Sequence, residues 1–247
     1  MSLFEIIKPA AAMVTQPVPM DPYASAVLNR ILGLPRNAPV MECTLTGPVL
    51  KANQNILIAL AAPEGHLGLP VWESIPVPAG ETVDLRRLGG TSRIYFAVRS
   101  DGDEPSRFRL RTESLIRIKT KPDVPLSWAD AEIQLTDQTF RILPASDRRG
   151  IRCQGAQKIK GGREIAPEPM TYGAIQLPPS GDPVIVGPDG PVTGGYRRVA
   201  TVAFSGLRRL AWLMPGEQVR FTKITPEAAL NHVACLEEAL ARDLMPC

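Results

Sequence analysis

The sequence predicts a mainly β chain with a few helices, divided into two domains. Three observations carry this reading. The length of 247 residues exceeds the roughly 100–150 residues of a usual single domain. Short apolar runs recur along the chain, punctuated by 20 glycines and 25 prolines, which is the pattern of strands joined by turns. Helical spacing with start and stop signals is confined to a few stretches.

Taken in order, residues 3–7 read as a first strand, followed by a loop through Pro17 and Pro19. Asp21 can cap a helix, Pro22 suits its first position, and Ala24, Val27, Leu28 and Ile31 keep helical spacing until Gly33 stops it. Two runs, 41–45 (MECTL) and 55–60 (NILIAL), read as strands that pair with each other. Shorter runs follow at 71–72, 81–85, 93–98 and 108–118. The segment KTKPDVPLS at 119–127 carries two prolines and no apolar period, which places a junction there and gives domains 1–118 and 119–247. Beyond it, 132–135 and 139–143 read as strands, 199–204 as a buried strand, 205–214 as a short helix ended by Pro215-Gly216, and 217–223 as a strand. Thr225 and Pro226 open a terminal helix with Leu230, Val233, Leu236, Leu240 and Leu244 on one stripe. That stripe either docks on the body or meets a partner, and one-sided stripes usually face a core.

Composition removes several functions. The formal net charge is +3, with acids and bases spread along both halves, so nothing concentrates a field and nucleic acid is not implied. Aromatic residues at 5% argue against a base-stacking surface. Cys43, Cys153, Cys235 and Cys247 lie far apart without a CxxC pair, so they read as thiols of a reducing cytoplasm. The opening MSLFEIIKPAAAMV fails as a secretory signal, and no run reaches the apolar length of a membrane span. A cytoplasmic protein without membrane contact is expected.

The chemistry gathers between 146 and 196. With His66 and His232 as the only histidines, neither a Ser-His pair nor a His-rich metal site is expected. Asp147, Arg148 and Arg152 cluster beside Gly150 and could hold a carboxylate or phosphate through arginine forks, or form loop ion pairs. Asp189 could act as an acid, base or orienting group if its turn lines a pocket, while Asp189-Gly190 is also a favourable hairpin turn. The pair Gly194-Gly195 marks either a positive φ or a close approach to something bound. Neither GxxxxGK[ST] nor GxGxxG is present, so no phosphate loop is expected.

Residues 173–181 (GAIQLPPSG), Asp189, Thr193-Gly194-Gly195-Tyr196, Ala200-Thr201-Val202, Leu210, Pro215-Gly216 and Val219-Arg220-Phe221 resemble the biotin-dependent carboxyltransferase-like family. That family includes the C-type component of 5-oxoprolinase, allophanate hydrolase subunit 2 and the carboxyltransferase domain of urea carboxylase. Upstream, Ser146-Asp147-Arg148 with Gly150 is similar to the family's SDRMGYRL segment. Phe4 to Pro9, Met20 to Ala24 and Gly47-Pro48 resemble its opening domain. The chain departs where relatives carry TTVQDLGRPG before the first helix and a GSRST-type segment after Val98. It also has Gly190 and Pro191 where the family's DRQTTGGYP motif has Arg and Gln, and Ile151 in place of an aromatic residue.

The resemblance implies two linked cyclophilin-like β-barrel units. It implies a C-type subunit of an ATP-dependent amide hydrolase, 5-oxoprolinase-like or allophanate hydrolase subunit 2-like. ATP acts at the level of the complex, with no cofactor or metal assigned to this chain. The implied partners are a B-type subunit of the allophanate hydrolase subunit 1 family and an A-type subunit, with a small amide or carboxylate as substrate. Asp189 is then the candidate catalytic residue, with Gln176, Thr193, Gly194, Gly195, Tyr196, Asp147 and Arg148 as substrate-binding candidates. The alternative is a catalytically silent binding or regulatory subunit that keeps the fold and partner surface.

Overall fold

The computed structural model describes residues 2–16, 18–62, 69–86, 92–100, 108–110, 123–242 and 244–246. The chain is mainly β and divides into two compact units, Met1–Arg117 with Leu236–Cys247, and Ile118–Cys235.

In the first unit, β2 (Ala12–Gln16), β3 (Val40–Thr44), β8 (Arg93–Ser100), β5 (Ile56–Ala61) and β6 (Ser74–Val77) form an antiparallel sheet in that order. A second sheet runs β1 (Phe4–Lys8), β4 (Val49–Ala52), β7 (Thr82–Asp84), and β9 (Phe108–Leu110) pairs with β18 (Leu244–Pro246). All six residues of β5 are buried, as an apolar run at the centre of a sheet requires. With Cys43, Leu50, Ile94 and Phe96 this strand builds the core. Helix α1 (Pro22–Ile31) lies against β5 and β8. Its local signals read correctly: Asp21 Oδ1 accepts from the Tyr23 and Ala24 amides at 3.0 and 3.1 Å, and Gly33 takes φ +65°. Glu42, 1% exposed, meets Arg93 at 3.3 Å and accepts from the Met20 amide at 2.8 Å.

Several expectations for this unit are corrected. The loop before Pro19 contains β2, which is laddered along its length with β3. Strands β3 and β5 do not pair with each other, because β8 lies between them. Trp72 is not in a strand but takes φ 62°. Of the run 108–118, residues 111–118 lie outside the described residues, as does His66.

The second unit is a closed barrel. Strands β10 (Asp123–Ala129), β17 (Gln218–Lys223), β11 (Thr139–Ile142), β12 (Gly150–Gly155), β15 (Val184–Val186), β14 (Ala174–Leu177) and β16 (Thr193–Val202) follow one another, and β10 pairs again with β16 to close the ring. Strand β13 (Glu164–Pro169) pairs with the first residues of β16, Thr193 to Tyr196, beyond the part of β16 that meets β10. All pairings are antiparallel except β10 with β17. Buried Ile151, Cys153, Ile175, Ile185, Phe140 and Phe221 fill the interior, the last two with ring centroids 5.3 Å apart. Helix α2 (Phe204–Ala211) lies against β10, and the turn after it places Gly216 at φ +93°.

Here too the structure revises the sequence reading. Residues 123–127 of the expected junction belong to β10, where Pro125 is paired with Thr222. Residues 132–135 form turns closed by bonds such as Ile133 N–H to Asp130 O, not a strand. Helix α3 (Pro226–Arg242) is capped by Thr225 Oγ1, which accepts from the Ala228 amide at 3.1 Å. Leu230 of the proposed stripe is 70% exposed while Leu240 is buried. The helix belongs to the second unit through Cys235 and to the first from Leu236 onward. There Tyr23 Oη donates to Leu236 O at 3.0 Å, and Arg36 pairs with Glu237.

Candidate functional site

Adjacent strands of the barrel wall carry residues in register, and register partners share a face of the sheet. Arg152 of β12 faces Val184 of β15, and Val184 faces Gln176 of β14. Their sequence neighbours Ile151, Cys153, Ile175 and Ile185 are buried in the barrel, so alternation sends this row to the outer side of the wall. A cavity of about 830 Å³ lies over the row, bordered further by Asp147, Glu164, the prolines at 178, 179 and 183, and Tyr196.

Of the residues expected from sequence, Asp147, Gln176 and Tyr196 line this cavity. Gln176 is 7% exposed and donates weakly to Tyr196 O at 3.5 Å. Asp147 shapes its own turn, with Oδ1 accepting from the amides of Arg149 and Gly150 at 2.8 and 3.1 Å. Arg148 and Asp189 are brought together beside it: Nε and Nη2 donate to the two carboxylate oxygens at 2.7 and 2.9 Å. The Arg148 hydrogen bonds hold the Asp189 carboxyl below its ordinary range. Asp189 also follows Val186 and precedes Pro191, both cavity-lining. The Asp189-Gly190 turn does not make a hairpin, because β15 and β16 are separated by β14.

Thr193, Gly194, Gly195 and Tyr196 begin β16, where Tyr196, Gly194 and Thr193 face Glu164, Glu168 and Pro169 of β13. Thr193 is exposed and Gly194 buried. Neither glycine has positive φ. The close approach is at Gly194, where an added Cβ would lie 2.2 Å from Gln176 Nε2, whereas at Gly195 the nearest atom is 3.8 Å away. Gly190 is as tightly enclosed: a Cβ there would lie 2.5 Å from Val186 Cγ1.

Sequence reasoning named Arg152 only within a charged cluster and did not find Glu164, Arg149 or Asp182. Arg149 meets Asp147 at 3.7 Å, and Asp182 is paired with Lys158. Glu164 had no local signal, since β13 reaches the cavity only through its pairing with β16. The PPS sequence at 178–180 was the visible signal for that rim. Cys153 also borders the cavity, but burial pushes its thiol up to about 12, so it is not a thiolate at neutral pH. Away from this cavity, Ser205 Oγ and His232 Nδ1 lie 3.1 Å apart at the surface.

A closed seven-strand barrel with a proline-rimmed cavity on its outer wall defines the second unit of a mainly β chain. The chain belongs to the family of the carboxyltransferase domain, subdomains A and B, whose family model matches residues 14–108 and 105–223. It is similar to the C-type component of 5-oxoprolinase from Escherichia coli, 24% identical over 86% of this chain and 84% of that protein. It is also similar to the corresponding 5-oxoprolinase component of Haemophilus influenzae, 35% identical over 34% of this chain and 28% of that protein. Among solved structures, the Kluyveromyces lactis urea carboxylase superposes with a TM-score of 0.80 at 18% identity, covering 98% of this chain and 30% of that one. The matches thus span well under two thirds of the Haemophilus and Kluyveromyces proteins. Among the described residues, no helix is long and apolar enough to cross a membrane.

Proposed function

We propose that this chain is the C-type subunit of an ATP-dependent amide hydrolase acting on 5-oxoproline or a related small amide. The observation that supports the reading most is the cavity itself, which gathers Gln176, Tyr196 and Asp147 from the family's motifs on one barrel wall. In this reading Gln176 reads the amide group and Tyr196 and Asp147 border the ligand. Asp189, kept ionised by Arg148, acts as a fixed carboxylate that orients a substrate nitrogen or water rather than as a proton donor. ATP and its phosphoryl chemistry belong to the complex, with B-type and A-type subunits as partners.

The test is co-expression with those subunits and assay of ATP-dependent glutamate release from 5-oxoproline. Asp189→Ala is expected to lower turnover at least ~100-fold, the scale lost with one group that stabilises developing charge. Undiminished release in that variant would remove Asp189 from the reaction.

A second reading has its own support. At Gly190, where relatives carry a polar side chain, the packing leaves no room for a Cβ. A silent binding subunit would bind the B-type partner without changing its turnover. Pull-down followed by assay with and without this chain separates the two readings.

A further inference from the structure

Two histidines in 247 residues predict no Ser-His pair, yet the fold of the second unit makes one. Ser205 Oγ lies 3.1 Å from His232 Nδ1, away from the cavity on the barrel wall. Half-buried Ser205 is the second residue of α2, which starts two residues after β16 ends at Val202. The barrel fixes the strand-to-helix turn between them, with the Ala203 amide donating to Pro125 O at 2.8 Å. A Cβ added at Gly206 would lie 2.7 Å from Val202 Cγ1 and 3.1 Å from Pro125 O, so the helix starts in close contact with β10 and β16. A serine on a sharp strand-to-helix turn is the setting in which a hydroxyl is held rigidly for attack.

His232 comes from a different element, α3, whose first turn is capped by Thr225. With the ring proton on Nε2, Nδ1 accepts the Ser205 hydroxyl hydrogen and stands as its base. Beside the hydroxyl, α2 has no side-chain cap. The Gly206 and Leu207 amides donate to Ala203 O at 2.8 and 3.2 Å, whereas the Phe204 and Ser205 amides find no acceptor among the described residues. A nucleophile, a base and two unpaired main-chain donors are therefore neighbours, and these are the parts that acyl transfer uses. Among the described residues no carboxylate stands behind the imidazole, and loss of that group in a Ser-His-Asp triad costs about 10⁴-fold in kcat. Such a pair is limited to acyl groups with a good leaving group.

We propose that Ser205 and His232 form an acyl-transfer site, separate from the barrel-wall cavity, that takes small activated esters. Ser205 Oγ attacks the ester carbonyl carbon as its proton passes to His232 Nδ1, and the Phe204 and Ser205 amides receive the oxyanion. The bond to the leaving oxygen breaks, the alcohol departs with the proton from Nδ1, and the acyl group stays on Oγ. A water then attacks that carbonyl and gives its proton to Nδ1. The carboxylic acid is released, and the proton returns to Oγ. Ester and water are the only reactants, and the site is independent of the amide reading of the cavity.

The experiment is hydrolysis of p-nitrophenyl acetate by the full chain, followed by p-nitrophenolate release and by mass mapping of the acetyl group. A stoichiometric burst is expected, with the acetyl group on the peptide that contains Ser205. Ser205→Ala should abolish the burst. His232→Gln should slow acetylation about 100-fold, the lower end of what a positioned base contributes, while the chain stays folded. Acetyl groups on lysines or the amino terminus alone, a burst retained in Ser205→Ala, or an undiminished rate in His232→Gln overturns the proposal. So does the pattern of a mere tether between helices, in which both variants unfold at lower temperature and the wild type carries no acetyl group on Ser205. Should His232→Gln fail to fold, Ser205→Cys gives the same reading through a thiol. Beside the imidazole it should react with iodoacetamide at least ~10-fold faster at neutral pH than the exposed Cys235 of the same chain. Equal rates for the two thiols would remove His232 as the base.

Discussion

At Gly194 the absence of a side chain is what lets Gln176 reach across from β14, since an added Cβ would lie 2.2 Å from its Nε2 and 2.9 Å from Met170 Cγ. A methyl group there must displace the buried amide or the strand. Gly194→Ala is expected to destabilise the chain by roughly 1–3 kcal/mol, as overpacking does, and to weaken lactam binding. Gly195→Ala, with 3.8 Å to its nearest atom, should cost no more than about 1 kcal/mol by the same reasoning. Denaturant unfolding of the two variants checks this, and equal costs would contradict it. The glycine pair was visible in the sequence, but which member mattered was not. Its partner, Gln176, is 18 positions earlier and arrives only through the β14–β16 pairing. Likewise Arg148 and Asp189 were legible as charged residues, whereas their pairing across 41 positions is seen only in the fold.

The connection between β15 and β16 is held down mainly by its neighbour across the cavity edge. The Gly187 and Asp189 amides donate to Arg149 O and Arg148 O at 3.0 and 3.1 Å, and the Asp189 carboxylate closes the fork on Arg148. Because that contact lowers the native carboxyl below its unfolded value, its contribution is fully present above about pH 4, the unfolded Asp value. It is lost as pH falls through the lower native value. A carboxyl-resolved NMR titration should place the Asp189 midpoint below ~3.9, the ordinary Asp value, and Arg148→Gln should move it back up; a wild-type midpoint at or above that value would refute the latch. Elements with local signals were legible, as with α1, whose cap and first proline adjoin it in sequence. Strands β2 and β13 were not, because what makes them strands is a partner elsewhere, β3 and β16. Pro125 misled for a similar reason, since a proline that suggests a linker sits here inside β10.

For the whole molecule, composition and spacing reached a β-rich chain in two parts, and family resemblance supplied the barrel. The closure itself left no local mark in the sequence, because it joins the first strand of the second unit to its last. Asp123 and Arg220, which meet across β10 and β17, are 97 positions apart. This makes order of synthesis matter. Barrels dominated by such distant pairings fold slowly, and this one cannot close until β17 has been made. Until then β10 and β11 each present an open edge, the template on which unfinished sheets associate. A chain ending at residue 216, just before β17, should therefore be protease-sensitive and aggregate, whereas the 247-residue chain should resist both. A soluble, protease-resistant truncation would show that the ring forms without its seventh strand. The parallel β10–β17 pair is thus a checkpoint in time: the cavity wall gains its final shape only once Gln218–Lys223 has been made.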